Sequence, residues 1–327
     1  MRALQVNTLS DDLSGVAINE VPVPRPGPGQ VLIRVFSASL NFPDLLMTRG
    51  QYQMKPELPF TLGGDCSGEI AAVGEDVERL EVGDLVTGIG VGAFGDYVVL
   101  PAATVDPIPD GLSFDEAAAF GAAYLTAYVA LVERARIQPG EVALIHGAAG
   151  GMGLAATDLA RALGARVIAT GIEDDKLAKV AELYAPSLLI NTREGFREKV
   201  KDVTGGAGAD VIFDPVNGDT LDESVRCINF CGRILVVGFV GGRISAVPSN
   251  LTMIKCFSLV GVRAGEYCRR FPERRRAISA ELKRLAEEKA IRPHVHAAFD
   301  FADWRSAFAS MQQQDAIGKV VIRVTER

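Results

Sequence analysis

The period of the apolar positions changes along this chain, and each change marks a different kind of structure. Up to about residue 118 they come in short bursts at Val31 to Val35, Glu69 to Val73, Leu85 to Thr87 and Tyr97 to Leu100. Turns rich in proline and glycine, such as PVPRPGPGQ and EVGD, separate the bursts, which predicts short strands in a small barrel or sandwich. The stretch SFDEAAAFGAAYLTAYVALVERARI then reads as a helix, with Ser113 as N-cap and Glu116 completing a capping box. Beyond it, apolar runs at Val142 to Ile145, Val167 to Ala169, Ser187 to Ile190, Asp210 to Asp214 and Arg233 to Val237 alternate with helical stretches. That alternation predicts a doubly wound parallel sheet with right-handed crossovers. After Arg263 an Arg-rich helix leads to a terminal strand, KVVIRV. This tail is expected to rejoin the first domain, because a further strand and helix would sit poorly beyond a completed sheet. The boundaries are therefore 1–118 with 263–327 for one domain and 119–262 for the other.

The chemistry concentrates in EVALIHGAAGGMGLAATDLARALGARVIATGIEDDK, which reads as strand, tight turn, helix, strand. Ala148, Gly150 and Gly153 hold the positions of a Gly-x-Gly-x-x-Gly turn, with Gly147, Gly151 and Met152 beside them. Glycine lets backbone approach a pyrophosphate, and the helix N-terminus offers unpaired N–H groups to its charge. A turn that only packs the helix on the sheet would not need so many glycines. About twenty residues on, where NAD sites place a carboxylate against the ribose 2′-hydroxyl, this chain has Thr170 and Gly171. A 2′-phosphate is not repelled there, and Lys176 or Arg193 could pair with it. The expectation is NADPH. NADH stays open, because Glu173, Asp174 and Asp175 lie close by, although they also suit the first turn of the next helix.

A net charge of −7 over 327 residues gives no reason to expect nucleic acid or an anionic membrane as partner. The N-terminal MRALQVNTLSDDLSG lacks a signal-type apolar core, and no apolar run is long enough to span a bilayer. A cytoplasmic location is expected, with Cys66, Cys227, Cys231, Cys256 and Cys268 as buried, reduced thiols. His294 and His296 alternate on one face of a strand, and two ligands do not make a metal site.

Taken with VPVPRPGPGQVLIRV, SLNFPD, PFTLGGDCSGEIAAVGEDV, VGDLV, AAYLTAYVAL, HGAAGGMG, FDPVNG and GKVVIRV, the chain resembles the medium-chain dehydrogenase/reductase superfamily, in its zinc-free quinone oxidoreductase branch. The resemblance covers essentially the whole chain. It implies an α/β fold in which a Rossmann domain with a doubly wound parallel sheet is inserted in a GroES-like β-barrel catalytic domain. Where the zinc enzymes have a cysteine ligand this chain has Asn41, and where they have a histidine it has Gly64. The four-cysteine structural lobe is also missing, so no zinc is expected. Asn41 and Tyr52 are the implied catalytic residues, Tyr52 standing where enoyl thioester reductases carry a proton-donating tyrosine; a tyrosine that only lines the site is the alternative. For the cofactor the resemblance implies Thr126, Asn217 with Gly218, Gly238, Phe239, Val240 and Lys319. Thr192 stands where NADPH-dependent relatives often have a tyrosine. Arg269, Arg270, Arg274, Arg275 and Arg276 either grip an anionic group or form a solvated basic face.

The implied activity is hydride transfer from NADPH to a small-molecule electron acceptor, a quinone or another α,β-unsaturated carbonyl. The alternatives are an enoyl thioester reductase with Tyr52 as acid, and a non-catalytic NADPH-binding redox sensor. A homodimer is implied, formed through the apolar edge strand Ser258 to Val262.

Overall fold

The computed structural model describes residues 1–313 and 315–326. In chain order the strands are β1 (Arg2–Val6), β2 (Val16–Glu20), β3 (Gln30–Leu40), β4 (Phe60–Thr61), β5 (Asp65–Val73), β6 (Leu85–Ile89), β7 (Tyr97–Pro101), β8 (Val105–Pro107), β9 (Val142–Ile145), β10 (Arg166–Gly171), β11 (Leu188–Asn191), β12 (Ala209–Asp214), β13 (Ile228–Val236), β14 (Ser258–Gly261), β15 (Val295–Asp300) and β16 (Lys319–Arg323). The α-helices are α1 (Phe42–Thr48), α2 (Phe114–Tyr128), α3 (Gly151–Ala162), α4 (Asp174–Tyr184), α5 (Arg197–Val203), α6 (Asp219–Cys227), α7 (Ser249–Lys255), α8 (Ala264–Arg270), α9 (Pro272–Glu287) and α10 (Trp304–Gln312).

Two compact units result. The first comprises residues 1–122, 283–287 and 292–327, and the second residues 123–282 and 288–291. The chain thus re-enters the first unit later than a boundary at 263 places it, and α8 with most of α9 belongs to the second. The Arg-rich stretch breaks between Arg270 and Pro272, as expected where proline follows, because its ring disfavours helical backbone in the residue before it.

In the first unit the long strand β3 is the organiser. One edge pairs with β5 along nearly its whole length, and the other pairs with β7 over Gln30–Arg34 and with β16 over Ser37–Leu40. β5 continues to β6 and β8, β15 lies beside β16, and a small sheet of order β2-β1-β4 completes the unit. Its core gathers Leu4, Ile33, Ile70, Leu100, Phe94, Trp304 and Phe308, all buried. The strand β1 went unpredicted because RALQV is short and has polar residues at Arg2 and Gln5.

In the second unit every strand pair is parallel, in the order β11-β10-β9-β12-β13-β14. Relabelled from β9, this is the order 3-2-1-4-5-6 of the dinucleotide-binding fold, with its switch point between β9 and β12. Val142, Ala143, Leu144 and Ile145 are all buried, as befits a strand covered on both faces. The predicted capping box is present: Glu116 Oε2 accepts from the Ser113 backbone at 2.9 Å and from its hydroxyl at 2.8 Å. The helix it starts continues past Tyr128 as a π-helical turn, Val129–Arg134. Among the described residues no helix is long and apolar enough to cross a membrane.

Candidate functional site

At the C-terminal end of β9 the chain turns through Gly147, whose φ of +57° is left-handed and favours glycine. The turn is tied to β10 by the Ala148 N–H, which donates to the Thr170 carbonyl at 2.9 Å. Gly150 is the N-cap of α3 and supplies no capping side chain, so the amides of the first helical turn are open to an anion. Gly153 is fixed by packing, since a Cβ there would lie 2.1 Å from the Gly147 carbonyl oxygen. These residues fit a pyrophosphate, which needs bare backbone amides at a helix start.

The residues that would meet the far ribose lie past β10. Lys176 is paired with Glu173 at 3.0 Å, and Asp174 accepts from Asn191 Nδ2 at 2.7 Å. Arg193 is anchored by Nε on the Ile172 carbonyl at 2.6 Å and is exposed, its terminal nitrogens without a partner among the described residues. On the other side of the switch point Asn217 adopts φ +65°, and its Oδ1 accepts the N–H groups of Gly218 (2.9 Å) and Ser245 (2.8 Å). The loop of Gly238, Phe239 and Val240 packs on this turn: the Val240 N–H donates to the Pro215 carbonyl at 3.2 Å, and Phe239 and Val240 are exposed. Thr126 lies on α2 in the same unit, half-buried.

The first unit holds a buried polar cluster. Asn41, N-cap of α1, donates through Nδ2 to Asp65 Oδ1 at 2.8 Å and to the Ser39 carbonyl at 3.2 Å. Its Oδ1 accepts from the Lys319 ammonium at 2.6 Å, and that ammonium also donates to the Leu40 carbonyl at 3.2 Å. Asp65 further accepts from the Ser39 hydroxyl at 2.6 Å. Asp44 accepts the Asn41 backbone N–H at 2.8 Å and the Gly63 N–H at 3.2 Å. Burial pushes the Asp44 carboxyl up to about 7, with the Asp65 charge adding to it, and burial lowers Lys319 against the pull of both carboxylates. Lys319, which the resemblance assigns to the cofactor, is thus engaged inside the β-rich unit. Tyr52 follows α1 and packs, half-buried, against the core of the same unit; no hydrogen bond joins it to Asn41.

Residues 27–110 match the family model of the alcohol dehydrogenase GroES-like domain, and residues 151–283 that of the zinc-binding dehydrogenase. A quinone oxidoreductase-like protein 2 homolog of Nematostella vectensis is 37% identical over 329 residues, covering 99% of this chain and 89% of the relative. The chain belongs to the medium-chain dehydrogenase/reductase superfamily, in its quinone oxidoreductase-like branch. It is an oxidoreductase of that superfamily. The CurK enoyl reductase structure superposes with a TM-score of 0.90 at 27% identity over 98% of each chain. A native mycobacterial structure complexed with NADPH does so with 0.91 at 27%, over 99% of this chain and 100% of the other. The α/β fold with a Rossmann sheet and a GroES-like domain, expected from sequence, is the fold observed.

The zinc in the family description finds no suitable donors at Asn41. A zinc site wants thiolate or imidazole, whereas the Asn41 amide already holds an ammonium and Gly64 has no side chain. Among the described residues no group of three or more His, Cys, Asp or Glu could hold a metal ion. This quinone oxidoreductase-like chain has free thiols throughout, but Cys231 and Cys256 are exposed, contrary to the expectation that all five are buried. Burial pushes the Cys66 and Cys227 thiols up to about 12, which keeps them protonated and unreactive. The five arginines between 269 and 276 are engaged within their unit: Arg269 and Arg270 with Glu266, Arg274 with Glu133, Arg276 with Glu273, and the buried Arg275 with Ser279. That is the pattern of a solvated, self-neutralised face. Sequence reasoning passed over Asp44, Asp65 and His146. The first carried a signal, an acidic residue at the third helical position after Asn41.

Proposed function

We propose that this protein is a metal-independent, NADPH-dependent reductase that passes hydride to a quinone or another α,β-unsaturated carbonyl. One arrangement carries the reading: the Lys319 ammonium bonded to Asn41 at the position where zinc-dependent members carry a cysteine ligand. A fixed cation there opposes Zn²⁺ by charge and by blocking the donor atom. Without a Lewis acid an isolated carbonyl is poorly polarised, whereas a quinone or enone delocalises the arriving electron pair itself. When bound, the nicotinamide supplies the hydride at its C4. The open amides at the start of α3 hold the pyrophosphate, and the exposed Arg193, anchored through its Nε, takes the 2′-phosphate. Tyr52 is the proton donor or the wall of the acceptor site.

The superposition on an enoyl reductase favours a second reading, reduction of an enoyl thioester with Tyr52 as acid. NADPH oxidation by chelator-treated protein separates the two, with a simple quinone and a 2-enoyl-CoA assayed side by side and Tyr52→Phe as control. Quinone reduction that survives chelation and keeps its rate in the variant is the expected result. Turnover of the thioester alone, lost in Tyr52→Phe, would overturn the quinone assignment, and activity abolished by chelation would overturn metal independence.

A further inference from the structure

His146 follows the last residue of β9, immediately before the glycine turn, and is 1% exposed. Its Nε2 lies 2.9 Å from Ser224 Oγ on α6, and its Nδ1 lies 2.9 Å from Thr170 Oγ1 on β10. The Ser224 hydroxyl donates its one hydrogen to the Thr220 carbonyl at 2.7 Å, so it must accept from Nε2–H. A neutral ring then leaves Nδ1 as an acceptor, so the Thr170 hydroxyl, which also lies 3.2 Å from the Ile145 carbonyl, turns its one hydrogen to the nearer Nδ1. The backbone N–H of His146 donates to the Phe213 carbonyl on β12 at 3.0 Å. One neutral ring therefore links β9, β10 and α6, and Thr170 in turn holds Ala148 of the turn through its carbonyl at 2.9 Å. The Thr170 side chain is buried and turned to the histidine, so it is not a group that meets a ribose.

We propose that His146 is a positioning residue of the dinucleotide cradle, holding Thr170, and through it the Ala148 amide, in the arrangement that receives a pyrophosphate. The inference rests on the nicotinamide reading above. A histidine that merely filled the core would affect stability alone. Burial pushes the ring down to about 3, so it stays uncharged at neutral pH.

The test measures the NADPH dissociation constant by nucleotide fluorescence, with no acceptor present, and the thermal midpoint of the same samples. Thr170→Val, which removes the hydroxyl at constant shape, and His146→Leu are each expected to weaken NADPH about tenfold. The double variant should fall little below the worse single one, because both break the same chain. Thr170→Ser should keep wild-type affinity, and Val200→Ala, in the core of the same unit, should lower the midpoint without changing affinity. If Thr170→Val and His146→Leu lower the midpoint as Val200→Ala does while binding stays within twofold, the positioning role is refuted. If His146→Leu does not fold, Thr170→Val and its serine rescue decide the matter. A wild-type protein that binds neither NADPH nor NADH would instead refute the nicotinamide reading itself.

Discussion

Replacing Lys319 by methionine removes the cation from a cluster that contains Asp44 and Asp65 and leaves the shape nearly unchanged. Lys319 is 7% exposed and Asp65 fully buried, so water cannot substitute for the lost ammonium. Removing one partner of a buried pair costs about 3–5 kcal/mol, because the remaining charge is stranded. Asp44 lowers that figure, since a carboxyl already pushed to about 7 is readily protonated; about 2–4 kcal/mol is expected at pH 6. The sign with pH follows from linkage. Lys319 holds the Asp44 pKa down, so its loss raises that pKa further, and between pH 6 and 8 the variant binds more protons in its folded state than wild type does. Its stability relative to wild type must then fall as pH rises. A further shift of one unit corresponds to about 1.4 kcal/mol, so the deficit should grow by about 1 kcal/mol from pH 6 to pH 8. Urea unfolding followed through Trp304 reads this directly, because the chain's single tryptophan is buried in the core of the unit that holds the cluster. A loss under about 1 kcal/mol, or one independent of pH, would refute the assignment of Lys319 as the charge that balances these carboxylates.

Gly153→Ala places a methyl group 2.1 Å from the Gly147 oxygen; the turn must move, which predicts a loss of about 2–3 kcal/mol in thermal or urea unfolding together with NADPH affinity. Arg193→Gln should weaken NADPH by at least about tenfold and leave NADH nearly unchanged in titrations, as expected when one charge-assisted bond to a phosphate is lost. The edge strand β14 pairs with β13 alone and carries the exposed Leu259, with Met253 and Ile254 exposed on α7 just before it. A homodimer built on that edge predicts that Leu259→Lys shifts the mass seen by light scattering from two chains to one.

The sheet of the second unit was legible because strands buried on both faces must be apolar throughout. VALI, RVIATG and DVIFD stand out against the helices between them, and the glycine turn announces itself by composition. The polar cluster could not be read in the same way. Asp65 reaches Asn41 because β3 and β5 pair with Ser39 opposite Asp65, and Lys319 arrives because β16 pairs with Val320 opposite Leu40. Those registers are set by barrel-forming strand pairing, which leaves no local trace in NFPD, GGDC or GKVV. His146 did leave one, a lone imidazole in a buried run just before the turn. Its meaning depended on the hydroxyls of Thr170 and Ser224, which other parts of the chain supply.

The Asn41 amide bears on which acceptors the proposed activity admits. Its orientation is fixed by the charges on either side of it: rotated by half a turn, the NH₂ group would face the Lys319 ammonium and the carbonyl would face the Asp65 carboxylate, donor against donor and acceptor against acceptor. Held as it is, the amide directs both hydrogens to protein oxygens, at 2.8 Å and 3.2 Å, and its Oδ1 to the ammonium. An incoming substrate oxygen can recruit an Nδ2 hydrogen only by displacing the longer of these bonds, the one to the Ser39 carbonyl. Asn41 is therefore a poor oxyanion donor and a good anchor for the cluster, and the negative charge that hydride creates must be carried mainly by the acceptor itself. A quinone spreads it over an aromatic ring and a phenolate oxygen, an enone over the oxygen and α-carbon of an enolate, and a simple ketone leaves it on one oxygen. On this reasoning simple ketones are the substrates the site should handle worst.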